Sequence, residues 1–133
     1  MKTPYELAYR YVIPYIQRKL VQALKQRGLS NTEIAKKLGI TPSAVTRYLK
    51  NERGTTIDLS NHPDVNEYID ELADKIVSKE HISHYEMIAA ITVLTAYVLS
   101  RRYLCSYHVT IDKDIDPTKC NVCPQLFSAI GKL

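Results

Sequence analysis

These 133 residues predict an all-α chain on three observations. Ser or Thr stands three residues ahead of Glu at Thr3/Glu6, Ser30/Glu33 and Ser83/Glu86, the capping-box spacing that opens a helix. Apolar side chains behind those boxes recur at three- and four-residue intervals. A thirteen-residue run from Met87 to Leu99 is apolar nearly all round, as a buried helix would be. The layout they suggest is a helical domain over 1–54, a connector over 55–62, a second helical region over 63–104 and a tail over 105–133.

Thr3, Glu6 and Pro4 open the first element, and Leu7, Tyr11, Ile16, Leu20, Val21 and Leu24 give it an apolar stripe ending at Gly28. Pro14 removes one internal hydrogen bond, so a break near Val12 is expected, with helices over 3–13 and 14–27. Tyr5, Tyr9, Tyr11 and Tyr15 read as amphipathic packing rather than as a ladder for stacking bases.

The next two elements form one motif. Ser30 and Glu33 cap a short helix whose inward side chains are Ile34, Ala35 and Leu38. Gly39 stands one residue past Leu38, where a left-handed C′ residue reverses the chain, and Ile40 plugs the turn. Thr41 caps the following helix, Pro42 fills its first position, and Val45 and Leu49 return to the core at i, i+4. Ser43, Thr46, Arg47 and Lys50 remain outside. An ordinary αα-hairpin shares this periodicity, but charge separates the two readings. Residues 1–53 hold eleven Lys and Arg against three acids, net +8, while 54–133 hold seven against eleven, net −4. Such asymmetry suits a half that neutralises phosphate joined to one that does not.

The stretch Leu29–Leu49 resembles the DNA-binding unit of phage repressors, the Cro and cI or XRE type. With ELAYRYVIPYIQRKLVQAL before it and KNERG after it, the chain also resembles archaeal predicted transcriptional regulators with a Cys-bearing C-terminal region. The resemblance implies base contacts at Pro42, Ser43, Thr46 and Arg47. Repressors commonly place Gln where this chain has Pro42, so readout of duplex DNA falls to Ser43, Thr46 and Arg47. Arg47 is the best placed for specificity, since a guanidinium can lie bidentate on guanine. Asn31, Thr32, Lys36, Lys37, Thr41, Lys50 and Arg53 are expected on the DNA backbone, where they position without specifying.

Residues 52–62 lack a helical stripe and are rich in turn formers. Pro63 then starts a helix with Val65, Tyr68, Ile69, Leu72, Ile76 and Val77 on one face and Glu67, Asp70, Glu71 and Asp74 on another. The apolar run behind Ser83/Glu86 is too short for a bilayer, which needs about twenty residues, and Arg101 and Arg102 end it. The C-terminal half offers little to surround it, so a homodimer seam at Ile88, Ile91, Leu94 and Val98 is expected. The alternative is packing against the N-terminal domain within a monomer. Pairing would set two recognition helices about 34 Å apart on a pseudo-palindromic operator.

Cys105 and His108, spaced i, i+3, with Cys120 and Cys123 in a Cys-x-x-Cys knuckle, fit a closed structural zinc site. The rivals are an iron–sulfur cluster on the three thiolates, which would make the protein a redox-sensing regulator, and a disulfide. An odd cysteine count without a signal peptide points to a cytoplasmic protein. His62, His81 and His84 fall outside any ligand pattern. The chain carries no glycine-rich phosphate loop, nucleophile elbow or HExxH motif, so an enzyme is not expected. An antitoxin-like protein-interaction module is the alternative to a regulator.

Overall fold

The computed structural model describes residues 1–78 and 82–133, and among them all regular structure is helical. In chain order the elements are α1 (Pro4–Leu7), a π-helical segment (Ala8–Val12), α2 (Ile13–Gln26), α3 (Asn31–Leu38), α4 (Pro42–Leu49), α5 (Pro63–Val77), α6 (His84–Ser100), α7 (Cys105–Ile111) and α8 (Val122–Phe127). His81 lies outside the described residues.

Pro14 does not break the N-terminal helix. It lacks an N–H, and its ring crowds the carbonyl four residues back. The chain answers by widening the turn ahead of it: the Ile13 N–H donates to the Ala8 carbonyl, five residues back, and the helix continues. The extra residue also changes the register. On an unbroken helix of 3.6 residues per turn, Tyr5 and Tyr9 would share Val12's side and Leu7 would lie nearly opposite. Instead Leu7 is 1% exposed, while Tyr5 and Tyr9 are 75% and 77% exposed. The expected packing role holds for Tyr11 and Tyr15, and Tyr5, though exposed, still meets the Phe127 ring edge-on at 6.0 Å. Tyr15 is fully buried, and Tyr11 meets the Tyr107 ring edge-on at 4.9 Å.

One hydrophobic core runs through the molecule. Ile16, Leu20 and Leu24 of α2 join Ile34, Val45, Val65, Ile69 and Ile76 in a single cluster, so α2 carries the helix-turn-helix on one side and α5 on another. The connector 55–62 is non-helical, and it sends Ile57 and Leu59 into that core. Arg27 crosses to the acidic face of α5, with Nε 2.8 Å from Asp74 and Nη2 3.7 Å from Asp70.

The apolar helix α6 is covered by its own chain. It packs against α8, α5, the π-helical segment and α2. Leu94 and Val98 have no exposed surface and Ile91 is half-buried, so the seam expected at Ile88, Ile91, Leu94 and Val98 is not an open face. Of these four, Ile88 alone is exposed, at 51%. The reason is material supplied from far along the chain: Cys123 and Phe127 of α8 are buried in the same core, and Gly131 lies against the α6 backbone at Ala96 and Tyr97, where a Cβ would collide. At this same C-terminal end, Tyr97 and the following Tyr103 donate their hydroxyls to Asp64, and the His62 ring stacks on Tyr103 at 3.7 Å. No single described helix is long and apolar enough to cross a membrane.

Candidate nucleic-acid interface

The helix-turn-helix forms from local signals. The Ser30 hydroxyl accepts the Glu33 N–H at 3.2 Å while the Glu33 carboxylate accepts the Ser30 N–H at 3.2 Å, a complete capping box. Gly39 ends α3 at φ +67°, the left-handed conformation that favours glycine. Thr41 accepts the Ala44 N–H at 3.1 Å and Pro42 opens α4. Ile34, Ala35, Ala44, Val45 and Tyr48 are buried between the helices and α2. Tyr48 lies outside the expected stripe. Its hydroxyl donates to Gln17 Oε1 at 2.6 Å, which locks α4 onto α2.

This packing leaves Ser43 and Arg47 exposed on α4, Lys50 exposed just past its end and Thr46 half-buried. The Thr46 hydroxyl donates to the Pro42 carbonyl at 3.1 Å, so its proton is engaged within the helix. The Arg47 guanidinium makes no hydrogen bond or ion pair with another described residue. Thr32, Lys36 and Lys37 are exposed on α3. Asn31 accepts from Lys25 Nζ at 2.9 Å, which adds a lysine absent from the expected set to the start of α3. The Thr41 hydroxyl is committed to its cap. Lys50 and Arg53 are exposed in the turn after α4. That turn is fastened to α2: Arg18 Nε donates to the Gly54 carbonyl at 2.9 Å, and Asn51, at φ +58°, accepts from Arg18 Nη1 at 3.4 Å. Gly54 has φ +74°, and a Cβ there would lie 2.9 Å from the Pro14 carbonyl carbon. Asn51-x-x-Gly54 is the sequence trace of this anchored turn, but its partners on α2 are more than thirty residues away.

Two helices joined by a left-handed glycine turn, with a polar and basic face held outward, define the helix-turn-helix class. Residues 20–60 match a family model described as helix-turn-helix, and the match supports a DNA-binding transcription regulator of XRE type. That family is one of DNA-binding regulators and not of enzymes. No curated protein and no solved structure matches the chain.

Of the four expected metal ligands, Cys105, Cys120 and Cys123 lie near one another, while His108 is engaged with Lys2. His108 is buried, but its Nε2–H donates to the Lys2 carbonyl at 2.9 Å and lies 4.0 Å from Asp112. Asp112 in turn accepts the Lys2 N–H at 3.0 Å, so the imidazole and carboxylate tie the start of the chain to α7. Among the described residues no three His, Cys, Asp or Glu side chains converge on a point that could hold a metal ion. Cys105, Cys120 and Cys123 are free thiols, and burial, with the other two cysteines nearby, pushes Cys123 up to about 11. Arg102 organises their loop: at φ +65° it donates from Nη1 to the Cys120 carbonyl at 2.6 Å and from Nη2 to Asn121.

Proposed function

We propose that this protein is a sequence-specific double-stranded DNA-binding transcription regulator that lays α4 in the major groove. The supporting observation is the outward face of α4, on which Ser43, Thr46 and Arg47 are carried by a helix held rigidly on α2. Arg47, whose guanidinium has no partner among the described residues, reads a guanine edge; Ser43 and the Thr46 methyl supply the remaining base contacts. Thr32, Lys36, Lys37, Lys50 and Arg53, with the N-terminus of α3 at Asn31, meet flanking phosphates.

A two-fold operator needs two copies of the chain. Pairing would use exposed apolar side chains such as Tyr85 and Ile88 at the start of α6, not Leu94 and Val98. The direct test is selection of bound duplexes from a random pool. A recurring motif is expected for the wild type; Arg47→Ala should blur one base pair by about 1–3 kcal/mol of discrimination, and Lys37→Ala should weaken all sequences about equally. A pool with no recurring motif, or equal behaviour of the two variants, removes Arg47 from the readout.

A further inference from the structure

The arginines divide into two groups. Arg18 bonds Gly54 and Asn51, Arg27 bonds Asp70 and Asp74, Arg102 bonds Cys120 and Asn121, and Arg101 lies over the Tyr97 ring. Arg10, Arg47 and Arg53 are exposed and make no such bond with another described residue. Arg47 is placed by the recognition helix. The other two border one cleft of about 750 Å³, with Tyr9, Tyr48, Glu52 and Thr55 also in its walls.

The position of the cleft gives it meaning. Tyr48 belongs to α4 and Arg53 to the turn behind it, so the cleft opens beside the C-terminal end of the recognition helix. A helix seated in the major groove has a phosphate backbone passing each of its ends. Both walls are built rather than loose. Arg18 and Gly54 clamp the Arg53 turn to α2 beside Pro14. The π-helical turn, forced by Pro14, swings Tyr9 out beside Arg10 instead of into the core. Two guanidiniums against one carboxylate leave the cleft net positive, and tyrosine hydroxyls are ready donors to phosphate.

We propose that Tyr9, Arg10 and Arg53 form a second phosphate-binding surface that grips the DNA backbone past the end of α4. Tyr9 and Arg10 precede the helix-turn-helix match at 20–60, so this surface lengthens the footprint beyond it. The proposal rests on the DNA-binding reading above.

The test uses the full chain and a fluorescently labelled random-sequence duplex, with affinity followed by anisotropy across a salt series. Arg10→Gln is expected to weaken binding several-fold and to make the log–log salt slope shallower by about one for each phosphate that is no longer neutralised. Arg10→Lys should restore the slope, since a point charge still meets phosphate, and Lys37→Ala serves as the control for the helix-turn-helix itself. Arg10 is solvent-exposed, and an unchanged thermal melt checks that the variant is folded. An Arg10→Gln slope equal to wild type beside a shallower one for Lys37→Ala overturns this proposal and leaves the DNA-binding reading standing. Flat salt dependence in wild type and every variant overturns both.

Discussion

Asp64 shows how single residues join the two halves of the fold. It sits in the first turn of α5 yet collects hydroxyls from Tyr97 and Tyr103, 33 and 39 residues away. Desolvation pushes its carboxyl up, but those hydroxyls and the backbone N–H of Val65 outweigh it and hold the group below the usual carboxylate range. A carboxyl depressed in the folded state contributes stability that is present above its unfolded value of about 4 and is lost as pH falls through the folded value. Urea denaturation between pH 6 and pH 3 should therefore show a steeper loss for wild type than for Asp64→Asn; parallel losses would mean that the tyrosine contacts contribute nothing to stability. None of this could be read from the sequence, where Asp64 is one acid among several on a helix face. Its partners are set by how α6 crosses α5. The same holds for His108, whose spacing from Cys105 suggests a metal ligand while the fold hands it to the Lys2 carbonyl.

Among the elements, the helix-turn-helix was legible because its signals are local. The Ser30 box, the Gly39 reversal and the Thr41–Pro42 start each act within three or four residues, and each appears in the structure as expected. Two other elements were not legible, for different physical reasons. An all-apolar helix signals burial but has no polar face to show which side meets which neighbour, so the covering of Leu94 and Val98 by their own chain rather than by a second copy could not be read from the run Met87–Leu99. Pro14 announces a disturbance but not its kind: a break, a bend and a wider turn all relieve the same clash. The π-helical register makes a clear prediction. Leu7→Ala should cost about 2–5 kcal/mol as a buried large-to-small change, and Tyr9→Ala should stay within about 0.5 kcal/mol. Chemical denaturation of both variants measures this, and the reverse order would restore an unbroken α-helical register.

At the level of the whole molecule, charge and core follow different boundaries. The core is continuous from α2 to α8, whereas basic residues gather in 1–53 and acidic ones in 54–133. Arg27 sits on that divide and pairs with the acidic face of α5. The result is one body with an electropositive helix-turn-helix side and an electronegative side, which would orient it on approach to a polyanion. The division of charge was fully legible in the sequence, while the continuity of the core was not, because Ile57 and Leu59 look like connector residues until their burial is seen. The measurement that tests the central claim most directly is the affinity of wild-type protein for random-sequence duplex DNA as salt is raised from about 50 to 200 mM. Phosphate neutralisation by about six or seven of the eight cations that Lys36, Lys37, Lys50 and Arg53 supply on two copies predicts a log–log slope near −6. A flat response, or no binding in dilute buffer, would contradict the account and favour a protein-interaction module.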